Sequence, residues 1–212
     1  MAMRTISVLL LAAGLTEARG AELDALLKGI EERYNKAKTL QADFVQTYTE
    51  RGRKTTEKGA LYLRKPGRMR WQYSLPAGKL WVSDGEFVYS YDPDEKRVEK
   101  SKLKDAGDLR APLAFLLGSL NFHDDFRQFE SSPDGSDTRI KALPKSDKFP
   151  YTEVSFVASP NFSIKRLSVK GADGSVMDYT FDNEKKDPLL TDALFKFKAP
   201  PDVAVIDTSK AN

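Results

Sequence analysis

The sequence contains no cysteine and a single histidine, His123, among its 212 residues. Without cysteine there is no disulfide framework, no thiolate nucleophile and no Cys-ligated zinc or iron–sulfur centre. One histidine cannot supply a multi-histidine metal site and leaves a single Ser–His arrangement to consider. A strong charge of either sign is also missing. The 34 Lys+Arg stand against 31 Asp+Glu, a formal net charge of +3, too balanced for a typical nucleic-acid binder, which concentrates a large basic excess. No apolar run reaches the roughly twenty residues that a membrane-spanning helix needs. What the chain does have is apolar content, 40% hydrophobic and 10% aromatic, more than a disordered chain carries.

The first residues are distinctive. Arg4 precedes Ile6-Ser-Val-Leu-Leu-Leu-Ala-Ala-Gly-Leu15, an apolar run of about ten, the size of a signal-peptide core. Ala18-Arg-Gly20 puts small residues at the two positions a signal peptidase reads, so residues 1–20 are expected to be removed between Gly20 and Ala21. The alternative is a buried N-terminal helix. No Cys follows the run, so the exported chain is not expected to be a lipoprotein itself. Removing residues 1–20 takes away Arg4, Arg19 and Glu17 and leaves net +2 over 192 residues. That length suffices for one domain, 21–212, held by its core alone.

Leu23, Leu26, Leu27, Ile30 and Tyr34 lie on one helical face, so 22–36 is expected to be an amphipathic helix. Gly29 should weaken it by about 1 kcal/mol relative to Ala. From residue 40 the period becomes two. Strands are expected at 40–49, 59–65, 69–73, 79–83, 86–91 and 97–102, and again at 126–130, 138–143, 152–158, 163–170, 176–182 and 195–201. Turn residues such as Lys65-Pro66-Gly67 and Ser83-Asp84-Gly85 separate them. Residues 111–120, rich in leucine, should form a short helix after Pro112. Consecutive antiparallel strands with few helices imply one wide, curled sheet with helices on one face.

Catalytic patterns are weak. His123 neighbours Asp124, but there is no Gly-x-Ser-x-Gly elbow, no P-loop and no dinucleotide fingerprint. Asp124-Asp125 and Asp92-Pro-Asp94-Glu95 could be carboxylate pairs for glycoside hydrolysis, yet both sit at turns, where Asp is common for backbone reasons. The basic, aromatic stretch from Arg64 to Tyr73 could stack bases. Alternation instead puts Leu61, Leu63, Lys65, Met69 and Trp71 on one face and Tyr62, Arg64, Arg68 and Arg70 on the other. With Tyr73, Leu80, Val82 and Tyr89, this large apolar surface either packs solid or encloses a greasy cavity; periodicity leaves both open.

The residues resemble the LolA family of periplasmic lipoprotein carriers. The resemblance lies in Gly59-Ala-Leu-Tyr-Leu-Arg-Lys-Pro-Gly-Arg-Met-Arg-Trp71, Pro76, Val82-Ser-Asp-Gly85 and Tyr91-Asp-Pro93. Phe44-Val-Gln46, Pro112–Leu117 and Phe195–Pro201 also fit. It implies a mainly β (α+β) fold, an unclosed antiparallel barrel of about eleven strands with a lid of two or three short helices. It also implies a non-enzymatic periplasmic chaperone with no cofactor, no metal and no catalytic residue. Its expected partners are acylated lipoproteins, an inner-membrane lipoprotein-releasing ABC transporter and an outer-membrane lipoprotein receptor; it binds no nucleic acid and is a monomer. The expected acyl cavity is lined by Leu61, Leu63, Met69, Trp71, Tyr73, Leu80, Val82, Tyr89, Leu113, Phe115, Leu116 and Leu117. The family latches its lid with an arginine before the strand's proline. That position is Lys65 here, so the latch falls to Lys65 or, after a register shift, to Arg64. A related half-barrel lipid-binding or envelope-stress sensor protein is the first alternative, and a carboxylate-dependent periplasmic hydrolase the second.

Overall fold

Two β-meanders meet along one pair of strands. The structure, a computed structural model, describes the backbone of residues 6–105, 120–147 and 149–209, with side chains over 20–104, 120–147 and 149–209. After helix α1 (Ile6–Lys36) come β1 (Thr39–Glu50), β2 (Arg53–Arg64), β3 (Arg68–Leu75), β4 (Leu80–Asp84), β5 (Phe87–Asp92) and β6 (Arg97–Lys102). A 3₁₀ turn, Leu103–Asp105, leads out of this half. The chain returns through a short helix α2 (Phe122–Asp125) into β7 (Phe126–Asp134), β8 (Asp137–Pro144), β9 (Tyr151–Ala158), β10 (Ile164–Gly171) and β11 (Val176–Lys186). A second 3₁₀ turn, Asp192–Phe195, precedes β12 (Ala204–Asp207).

All twelve strands form one sheet in the order β12-β6-β5-β4-β3-β2-β1-β11-β10-β9-β8-β7. The halves join where β1 pairs antiparallel with β11, and β12 lies parallel to β6. The two ends, β12 and β7, do not pair with each other, so the sheet is unclosed. The strand expected at 195–201 is absent: Phe195 ends a 3₁₀ turn, and the strand is Ala204–Asp207. Phe195 and Phe197 alternate as a strand would, but each packs downward on the sheet instead of pairing at its edge.

Facing residues of an antiparallel pair share a face, so the register traces the inner surface. One row runs Ala42–Leu61–Trp71–Trp81, the next Leu40–Leu63–Met69–Ser83–Val88. On the other half Gln46 opposes Tyr179, followed by Leu167, Phe156 and Ile140. Leu27, Ile30 and Tyr34 of α1 are buried in the same core as these rows, which span β5 to β8. One helix touching both halves requires the sheet to curl around it. Gly29 has a use in this contact: a Cβ there would stand 2.4 Å from the Phe162 ring.

A second, smaller core lies on the outer face. Arg70, Val82, Tyr89 and Lys100 form one row there, and Gln72, Leu80, Tyr91 and Val98 another. The C-terminal segment covers it. Phe195 is buried, Phe197 stacks on Tyr89 at 5.3 Å, and Val205 of β12 pairs with Val98.

Candidate functional site

Of the residues expected to line a cavity, the inner face joins five of the eight that lie within the described residues. Leu61, Leu63, Met69, Trp71 and Tyr73 are all buried there. Leu80, Val82 and Tyr89 are not among them: the register puts all three on the outer face, with Val82 opposite Arg70. The segment Leu80-Trp-Val reads apolar at three successive positions, and alternation alone cannot choose its parity. Trp81, which faces Trp71, and Val88 take the inner places instead. Leu113, Phe115, Leu116 and Leu117, the expected lid, lie outside the described residues.

Trp71 is at the centre of the face. Its ring meets Phe44 edge-on at 4.6 Å and lies 5.8 Å from Tyr179; Phe44 meets Tyr73 edge-on at 5.2 Å. Phe44 stands opposite Gly59, where β2 and β3 slip register and a Cβ would come 2.1 Å from the Gln72 carbonyl oxygen. The glycine permits the close approach that lets three aromatic rings converge. Trp71 Nε1 is buried with no hydrogen-bond partner among the described residues. Beyond Tyr73 the face turns polar. Gln46 Nε2 donates to Glu57 at 3.2 Å, Lys79 pairs with Glu57, and Lys79 Nζ sits 4.8 Å over the Tyr73 ring.

The two latch candidates part company. Lys65 Nζ donates to the Tyr34 carbonyl oxygen at 2.7 Å, in the last turn of α1, and its burial lowers its pKa. Arg64 lies on the opposite face, paired with Asp192 and 6.0 Å from the centre of the Phe195 ring. Arg68 also reaches Asp192, at 3.2 Å, and Arg70 donates to the Leu194 carbonyl at 3.3 Å. The basic stretch therefore holds the C-terminal segment down, which accounts for its separation from the indole. The space beneath the Lys65–Tyr34 contact, lined by Ala37, Leu40 and Leu63, is about 10 Å³, room for no more than about one water.

Several anchors of α1 carried no recognisable pattern. The Tyr34 hydroxyl donates to Glu184 at 2.7 Å and accepts from the Ile164 amide at 2.9 Å. Burial, then the Glu184 charge, raises the Tyr34 pKa, so the hydroxyl stays protonated. Arg33 completes the group on Glu184. Asn35 grips the chain at Leu120 through both of its amide atoms, at 2.8 and 2.7 Å, and Glu31 accepts from the Phe122 amide at 2.7 Å. These partners lie 85 to 151 positions apart in the chain, beyond the reach of any local spacing rule.

The catalytic candidates do not assemble. His123 is exposed, 3.8 Å from Asp24 and edge-on to Phe129. Burial and its neighbour Asp124 push the Asp125 carboxyl above its ordinary range, while Asp124 accepts from the Asn121 side chain within its own turn. Among the described residues no three His, Asp or Glu side chains could hold a metal, and no helix is long and apolar enough to cross a membrane.

The family model described as "Outer membrane lipoprotein carrier protein LolA" matches residues 35–198. An outer-membrane lipoprotein carrier protein of Nitrosospira multiformis is 31% identical over 172 residues, 80% of this chain and 83% of that protein. That of Chromobacterium violaceum is 28% identical over 196 residues, 92% of this chain and 93% of its own. Among solved structures, an uncharacterized conserved protein from Thermus thermophilus shares the fold with a TM-score of 0.53. It is 15% identical, with 88% of this chain and 99% of that one covered.

Proposed function

The chain belongs to the LolA family of outer membrane lipoprotein carrier proteins, and from that premise we propose that it shelters the acyl chains of lipoproteins against the inner face of its sheet while they cross the periplasm. The single observation that carries this reading is the largely apolar inner surface, whose rows from Val88 to Ile140 include Ser83 and Gln46 as polar members, on a sheet whose two end strands do not pair with each other. It supports carriage, because transferring a methylene out of water is worth about 0.8 kcal/mol, or on the order of 12 kcal/mol for a chain of fifteen. A gain of that size exceeds what covering the face with two or three helical side chains returns, at about 1.5–3 kcal/mol each. Cargo can therefore replace the protein's own apolar cover.

In this reading the acyl chains lie along Leu61, Leu63, Met69, Trp71 and Tyr73, with Leu113, Phe115, Leu116 and Leu117 closing over them. Leader removal after Gly20 releases a periplasmic monomer comprising residues 21–212. An inner-membrane ABC transporter loads it and an outer-membrane receptor unloads it. No step forms or breaks a bond, so the carrier is not an enzyme.

The test is binding of a triacylated lipopeptide, followed by tryptophan fluorescence and competed with fatty acid. Saturable, stoichiometric binding is expected, lost on deacylation. Equal binding of the deacylated peptide would overturn the carrier reading. Alanine at both Asp124 and Asp125 should leave binding intact, where a carboxylate-dependent hydrolase would lose its activity.

A further inference from the structure

Resting on that carrier reading, we propose that the indole N–H of Trp71 is a ligand-directed donor, kept for the carbonyl oxygen that joins an acyl chain to its lipoprotein. Trp71 is 1% exposed, yet its Nε1 has no hydrogen-bond partner among the described residues. Native folds pair the great majority of buried donors, and one left unpaired costs stability. Packing does not account for the nitrogen. The ring's neighbours Phe44 and Tyr179 lie 4.6 and 5.8 Å from its centre, and a phenylalanine would fill much of the same space without a donor.

Position supplies the ligand's chemistry. Along the inner face the polar group Gln46–Glu57–Lys79 comes first, beside Tyr73. Trp71 follows two residues along β3, about 7 Å further in. Met69 and Leu63 come next, in a row that is apolar apart from Ser83. A lipid-modified cysteine presents the same order: a polar head, then an ester or amide carbonyl, then hydrocarbon. Hydrocarbon cannot accept a hydrogen bond. The carbonyl is the one acceptor that every acyl chain carries into an apolar site, and it stands one step below the head, as Trp71 stands below the polar group. A donor there distinguishes an acyl chain from any other greasy tail.

The experiment compares a diacyl lipopeptide joined by esters with its ether-linked isostere, which has equal chain length and no carbonyl. The wild-type protein should bind the ester about five- to tenfold more tightly, the effect of one buried hydrogen bond. Trp71→Phe should lose that preference and bind ester and ether alike. Equal affinities in the wild type, or an ester preference that survives in Trp71→Phe, overturn the inference while leaving carriage standing. Binding of neither lipopeptide overturns the carrier reading and this inference with it. Because the variant could fail to fold, the wild-type protein is also labelled with ¹⁵N at its indoles. The Trp71 resonance should move downfield with the ester and not with the ether; identical shifts with both overturn the assignment.

Discussion

Lys65 Nζ reaches the Tyr34 carbonyl in the turn where a helix's last carbonyls lack donors of their own and where a cation is favoured. Replacing it with methionine keeps most of the stem and removes the donor. Lys65→Met should lower stability by about 1–2 kcal/mol, read as a lower urea midpoint with an unchanged slope. No change in midpoint would mean that this contact holds nothing. The face that Lys65 takes was legible, since alternation already set it apart from Arg64. Its partner was not, because Tyr34 lies 31 positions upstream and only the folded sheet brings the two together. Trp71 was legible as a buried ring in the same way, whereas the lack of a partner for its nitrogen among the described residues shows only once the neighbours are in place.

Helix α1 illustrates the next scale. The spacing of Leu27, Ile30 and Tyr34 marks its buried face, and the same three residues enter the core. Gly29 reads as a local defect, but the Phe162 ring occupies the space a side chain would need. The two effects can be separated. Gly29→Ala should destabilise the wild-type protein by about 1–2 kcal/mol, the cost of overpacking. In a Phe162→Ala background the same change should stabilise by about 1 kcal/mol, the gain in helix propensity. Thermal melts of the four proteins give the answer, and the same sign in both backgrounds would exclude the ring as the cause. Strand β4 shows the opposite case. Leu80, Trp81 and Val82 offer no polar residue to fix parity, and the pairing of Trp81 with Trp71 decides it. Val82 then meets the C-terminal segment, whose return across the outer face no periodicity announces.

For the molecule as a whole, the alternating segments and their turns made an antiparallel sheet legible. Its central seam was not, because β1 and β11 belong to opposite ends of the chain. The sheet order predicts a gradient of protection. Strands β1 and β11 have partners on both sides, whereas β12 and β7 have one. Amides of 43–47 should exchange with deuterium about 100-fold or more slowly than those of 204–207, since local opening free energies fall toward frayed edges. Uniform exchange would show that the seam is no firmer than the edges.

The unpaired ends of the sheet bear on capacity. In a closed barrel, strand number and shear together fix the girth, so the interior has one size. Here no ladder spans β12 to β7, and the sheet can flex about its β1–β11 seam without giving up a single interstrand hydrogen bond. Swelling then costs only the contacts of α1 and other cover with the inner face, which arriving hydrocarbon replaces. A container built this way need not match one cargo: its volume becomes a variable set by whatever it holds.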